Sequence, residues 1–127
     1  MTAIIRHMRK VTEIAIFTPD VPATRRFYEA LLGSPPAAAW AGGAEFRAGE
    51  VTLRVHDMPD LSHGAPGDDH IGLSVDDVDA ACVELRAVAI EPVAGPKDFY
   101  WGRSAYFRDP GGRLVELHQS SRGASEP

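Results

Sequence analysis

Glu13-Ile14-Ala15-Ile16-Phe17-Thr18-Pro19-Asp20-Val21-Pro22-Ala23 returns, altered but in order, as His70-Ile71-Gly72-Leu73-Ser74-Val75-Asp76-Asp77-Val78-Asp79-Ala80. The offset is 57 (70 − 13), and Ile14/Ile71, Asp20/Asp77, Val21/Val78 and Ala23/Ala80 coincide. A second block follows in the same order. Phe46-Arg47 matches Phe107-Arg108, and Gly49 to His56 matches Gly111 to His118, where the offset has grown to 62 (116 − 54). Two ordered blocks predict an internal duplication, with about five extra residues in the second copy, expected in a loop around Pro96 to Gly102. Module one then covers about 11–58, a linker 59–68, and module two 69–119, followed by a small polar tail at 120–127 that is expected to fray.

Each copy reads as a strand, a helix and further strands. In residues 12–17 Thr12, Ile14 and Ile16 alternate with Glu13, Ala15 and Phe17, the period of a half-buried strand. Asp20 can cap a helix that tolerates Pro22 in its first turn, and Gly33 suits its C-terminal stop. The spacing puts Ala23, Phe27 and Leu31 on the inward stripe of that helix, with Arg25, Arg26 and Glu29 outside. In the second copy Ile71, Leu73 and Val75 form the apolar strand face. Asp77 then caps a helix that turns Val78, Ala81, Cys82, Leu85 and Ala89 inward. Segments 44–47, 51–56, 104–108 and 113–118 are short and β-prone, and Asp109-Pro110-Gly111-Gly112 is a hairpin turn between the last two. The fold class is therefore α+β, with two βαβββ modules forming cupped mixed sheets around a cavity.

One helix per module covers one face of its sheet. The other faces carry Glu13, Thr52, Arg54, His56, His70, Gly72, Ser74, Glu116 and His118. That polarity predicts a wet or liganded cavity.

Composition narrows the function classes. The chain has 127 residues, 44% hydrophobic and 24% charged, which suits one domain, 1–127, able to bury a core. Thirteen Lys and Arg against 18 Asp and Glu give −5, so nucleic acid is not an expected partner. The apolar run after Arg6, His7, Arg9 and Lys10 is only Ile14 to Phe17, too short for a signal peptide or a membrane helix. The single cysteine, Cys82, lies on an apolar stripe and reads as packing. A cytoplasmic protein without membrane contact is expected.

Phe17 to Gly33, Asp69 to Leu85 and Trp101 to Gln119 resemble the vicinal oxygen chelate superfamily, over about 11 to 119 of the chain. Phe-x-Asp-Pro-x-Gly-x-x-x-Glu, from Phe107 to Glu116, is the most specific of these motifs. The superfamily includes glyoxalase I, extradiol dioxygenases, fosfomycin-resistance thiol transferases, methylmalonyl-CoA epimerase and bleomycin-resistance proteins. The resemblance implies paired βαβββ cups, commonly completed by a homodimer. It also implies ligand positions on the first and late strands of each module, which fall here on Glu13, Arg54, His70 and Glu116. Three of these can bind a divalent metal ion (Zn, Ni, Co, Mn or Fe), making Glu13, His70 and Glu116 the expected ligand set. Glu13 stands where dioxygenases and fosfomycin enzymes have His, which disfavours a two-His-one-carboxylate iron site. Arg54 stands where glyoxalase I has a carboxylate, and a guanidinium there suits an anionic group on a small-molecule substrate.

Two readings of these four residues stay open. A metal ion neutralises the two carboxylates, or Arg54 and a protonated His70 do so without one. The first reading gives an enzyme of the glyoxalase or epimerase kind, a lyase or isomerase, with Glu13 and Glu116 in acid/base roles. Ring-cleaving dioxygenase or thiol-transferase chemistry is a weaker variant of it. The second gives a metal-free, drug-sequestering protein of the bleomycin-resistance kind. In either, His56 faces the cavity, and Tyr100 and Trp101 form a ligand wall or else a hydrophobic plug or dimer contact.

Overall fold

A computed structural model describes residues 9–119. The first half runs β1 (Lys10–Phe17), α1 (Val21–Leu32), β2 (Ala38–Trp40), β3 (Gly43–Ala48) and β4 (Val51–His56). After a linker with one 3-10 turn (Leu61–His63), the second half repeats the plan. It runs β5 (His70–Val75), α2 (Val78–Arg86), β6 (Ala94–Phe99), β7 (Gly102–Arg108) and β8 (Leu114–Gln119). Both halves are βαβββ. Their eight strands join edge to edge in one open mixed sheet, in the order β2-β3-β4-β1-β5-β8-β7-β6. The duplication shows in the pairing. At the centre β1 and β5 run antiparallel, with Ile14 opposite Ile71, while β1 pairs parallel with β4 and β5 parallel with β8.

The helices begin where capping chemistry places them. Asp20 accepts a hydrogen bond from the Ala23 amide and Asp77 from the Ala80 amide, both at 3.0 Å, and each such cap contributes about 1 kcal/mol. Gly33 ends α1 in the left-handed region at φ 75°, where a Cβ would be strained. Two cores lie beneath the helices. Ala44, Phe46, Leu53 and Val55 of β3 and β4 pack with Ile16 and Tyr28. Val75, Val78, Ala81, Cys82, Ala105, Phe107 and Leu117 pack with Leu73 and Leu85.

Four local expectations need correction. Helix α1 docks through Val21 and Tyr28, leaving Phe27 58% and Leu31 65% exposed. Phe27 and Leu31 of the stripe read from Ala23, Phe27 and Leu31 thus turn away from the sheet, because β3 and β4 take up the side of the helix that carries Val21 and Tyr28. Helix α2 stops at Arg86, so Ala89 lies beyond it with φ 68° and its side chain exposed. The stretch around Pro96 to Gly102 is no loop but the end of β6, a tight turn at Tyr100-Trp101 and the start of β7. Finally, a register shift between Val11 and Glu13 makes Thr12 the extra residue of a β-bulge. Its hydroxyl lies 3.2 Å from His118 Nε2, and Thr12 leaves the Ile14 and Ile16 face.

The tail expected to fray, 120–127, lies outside the described residues. Among the described residues no helix is long and apolar enough to cross a membrane.

Candidate functional site

Directly opposed residues of a sheet share a face, so the register defines what meets on the side away from the helices. One row there is Arg47, Thr52, Glu13, Gly72, Glu116 and Tyr106. The next is Glu45, Arg54, Ala15, His70 and Leu114. The polar face expected from the alternation is therefore continuous across both modules.

His70 and Glu116 meet at its centre. His70 Nε2 is 3.2 Å from Glu116 Oε1, and each side chain is 6% exposed. The other imidazole nitrogen, Nδ1, lies 2.8 Å from the Asp68 carbonyl oxygen. A carbonyl only accepts, so Nδ1 carries a proton and Nε2 is the nitrogen offered to the site. Ser104 donates to Glu116 Oε2 at 2.6 Å. Burial, the largest influence on His70, works to lower its pKa. Hydrogen bonds to Glu116 and Asp68 and the charges of Glu116 and Glu13 outweigh it, and the pKa is raised. Burial likewise pushes Glu116 upward, but its bonds to His70 and Ser104, with the charges of His70 and His118, hold the carboxyl below its ordinary range.

Glu13 goes elsewhere. Its Oε2 lies 3.3 Å from Arg54 Nε, while Arg54 Nη1 pairs with Glu45 on the far side. Arg54 Nε is buried yet makes no hydrogen bond. Thus one guanidinium lies between two carboxylates. Gly72 keeps the space between Glu13 and Glu116 clear: a Cβ there would lie 3.3 Å from Glu13 Cβ and 3.8 Å from Glu13 Oε1.

Aromatic rings continue the face on both sides. His56 stacks on Phe17 with centroids 5.0 Å apart, and burial, then the charges of Arg54 and His70, lower its pKa. On the other side Tyr106 stands edge-on to His70 at 5.8 Å and to Phe99 at 5.7 Å. Trp101 stacks flat on Phe99 at 4.7 Å. Tyr100, 80% exposed, packs edge-on to Trp101 and to His63 of the linker. Burial, then the Glu116 charge, pushes the Tyr106 phenol far up, so it remains an O–H donor.

Of the expected ligand set, His70 and Glu116 come together and Glu13 is drawn to Arg54. Among the described residues no three His, Cys, Asp or Glu side chains converge as a metal cluster. The donor chemistry nevertheless suits a divalent ion. Two neighbouring ligands of one ion, each about 2.1 Å from it, are separated by roughly 3 Å, close to the His70–Glu116 spacing. The Nδ1 bond to a carbonyl is the usual outer support of a ligating histidine. The glycine gap leaves room beside them.

Glu45, Ser104, Tyr106 and Asp68 were not singled out from sequence. Three had a signal. The tight turn at Gly49-Glu50 sets Glu45 opposite Arg54, and the Asp109 turn sets Tyr106 opposite Glu116 and Ser104 opposite His118. The Asp68 carbonyl had none.

Comparison with known proteins agrees with this architecture. No curated protein sequence matches the chain. Among solved structures, an NAD-dependent benzaldehyde dehydrogenase from Legionella pneumophila superposes with a TM-score of 0.71 at 16% identity, over 84% of this chain and 96% of its own. A methylmalonyl-CoA epimerase in complex with methylmalonyl-CoA and NH4+ gives 0.66 at 21% identity, over 89% and 95%. The epimerase from Mycobacterium tuberculosis gives 0.64 at 19%, over 91% of each. Such low identities speak for the fold alone. The family model of the Glyoxalase/Bleomycin resistance protein/Dioxygenase superfamily matches residues 10–117, and with the paired βαβββ halves this establishes that the chain belongs to that superfamily.

Proposed function

We propose that the polar face is the active site of a metal-dependent enzyme acting on a small, anionic substrate by proton transfer, a lyase or isomerase. The observation that carries this reading is the buried His70–Glu116 pair, with Nδ1 of His70 tied to a carbonyl and Nε2 left to the site. His70 and Glu116 would hold a divalent ion, with Glu13 as third ligand, and the ion when bound supplies Lewis-acid polarisation of substrate oxygens. The chain's own residues do the rest. Glu13 and Glu116 are the carboxylates available to take up and return a proton beside a carbonyl. Arg54 holds an anionic group of the substrate through charge-assisted hydrogen bonds. His56, Trp101 and Tyr100 form the wall that orients it, and Tyr106 donates its O–H toward Glu116.

Adding Mn, Ni, Co or Zn to chelator-stripped protein is expected to raise the melting temperature by several degrees. Free ion at 100 times Kd is worth about 2.7 kcal/mol. His70→Ala and Glu116→Gln should each abolish the rise, and His63→Ala, on the linker, should keep it. If stripped and metal-treated protein melt alike with every ion, the second reading takes over. In that reading the chain is a metal-free binding protein of the drug-sequestering kind, favoured by the way Arg54 and His70 already pair with the carboxylates.

We also propose a two-fold homodimer. Helix α1 packs on β3 and β4 and α2 on β6 to β8. On the central strands Ile14 and Ile71 stay 38% and 40% exposed, and on α1 Phe27 and Leu31 are bare as well. Light scattering should give twice the chain mass at micromolar concentration, and a stable monomer would refute the assembly.

A further inference from the structure

Arg54 has two dissimilar carboxylate neighbours. Its Nη1 makes a hydrogen-bonded ion pair with Glu45, directly opposite on β3. Its Nε faces Glu13 at 3.3 Å without a hydrogen bond, and no other acceptor reaches that buried atom. The Glu45 link is therefore the anchor. The Glu13 link is Coulombic only and is the one that a better acceptor displaces. Glu13 meanwhile hangs over Gly72, on the row that leads to Glu116, and its charge already acts on His70. Glu13 thus lies on the same row of the sheet as Glu116, with only the side-chain-free Gly72 between them.

We infer that Arg54 gates the third ligand position: a carboxylate, phosphate or phosphonate group that takes its Nε edge releases Glu13 to the metal, so anion and divalent ion bind cooperatively. This rests on the metal reading given above. The coupling is reciprocal, because whatever tightens the ion in the presence of the anion must tighten the anion in the presence of the ion. It also gives the site an order. Without a substrate anion, Glu13 is held by Arg54 and the ion has two protein ligands. With the anion seated, it has three. An enzyme arranged in this way completes its metal site only around a substrate of the right charge.

The test measures free Mn(II) by electron paramagnetic resonance as the stripped protein is titrated, with acetate as the anion and ionic strength held constant with chloride. Acetate is expected to tighten Mn(II) binding to the parent protein at least about fivefold, the lower end of typical coupling. Arg54→Gln should bind Mn(II) at least as tightly as the acetate-saturated parent, and acetate should no longer matter. Glu13→Gln, which keeps Arg54, should also lose the acetate effect. Arg54→Lys serves if the glutamine variant does not fold; it retains the charge without the bidentate edge and should show a reduced acetate effect. Mn(II) binding that ignores acetate in the parent, or an undiminished acetate effect in Glu13→Gln, overturns the gate and leaves the metal site standing. No Mn(II) binding by the parent or by Arg54→Gln overturns the metal reading itself.

Discussion

Glu116→Ala is expected to destabilise the metal-stripped protein by about 3–5 kcal/mol near pH 6, the usual effect of removing one member of a buried pair. The loss should shrink as the pH rises. The folded pKa of His70 lies above the ordinary 6.5, so its share of the stability is complete below that value and disappears as pH climbs through the raised pKa. Glu116 behaves in the opposite sense. Its folded pKa lies below the ordinary 4.5, so its share is complete above that value and is lost as pH falls through the depressed pKa. The pair is thus fully engaged between about 4.5 and 6.5. In the alanine variant His70 keeps its burial and its Asp68 bond but has lost the largest favourable influence on its charged form. It then gives up its proton at lower pH than in the parent, so the difference between the two proteins narrows as pH climbs through the parent's raised pKa. Urea denaturation at pH 6 and pH 9, with chelator present, measures the two losses. Equal losses would mean that Glu116 contributes packing and its Ser104 bond rather than an ion pair with His70.

The same pair shows what the sequence could disclose. Strand alternation put His70 and Glu116 among the residues of one polar face, and the family resemblance implied that they are ligand positions. Their meeting is a consequence of the parallel β5–β8 register, which sets Gly72 beside Glu116 and His70 one step along. Six of the eight strands, both caps and the Asp109 turn were legible because each depends on chemistry local in the sequence, whereas β2 and β6 were not. Helix rotation was not. Phe27 and Leu31 satisfy an amphipathic spacing as well as Val21 and Tyr28 do, and only the sheet underneath decides between the two stripes. The Thr12 bulge was equally hidden, since one extra residue reverses the facing of everything before it. At the site itself, the sequence left Glu13 between two partners, Arg54 and a metal ion. Side-chain geometry puts it on Arg54, with a hydrogen-bonding deficit at Nε that no periodicity reveals.

Gly72→Val should separate stability from function. Gly72 lies inside β5, between Glu13 and Glu116. It lacks the positive φ that would bar a side chain, so a β-branched residue suits its backbone and improves strand propensity. The added Cβ would meet Glu13 Cβ at 3.3 Å, tight enough that the neighbour must yield by a few tenths of an ångström. Glu13 has a direction in which to yield, toward Arg54. The fold is therefore expected to tolerate valine, with the stripped protein melting within a few degrees of the parent. The γ-methyl groups, however, occupy the gap that Glu13 must cross to join His70 and Glu116. With acetate saturating, so that Glu13 is free to join the ion, divalent-ion affinity should fall at least about tenfold, the lower end of what disturbed support around a metal site loses. Calorimetric titration of Mn(II) into stripped parent and variant in saturating acetate, alongside their melting curves, reads both quantities at once. Unchanged affinity would remove Glu13 from the ligand set and leave the ion to His70, Glu116 and solvent. A collapse in melting temperature would mean that the glycine is needed by the sheet rather than by the site.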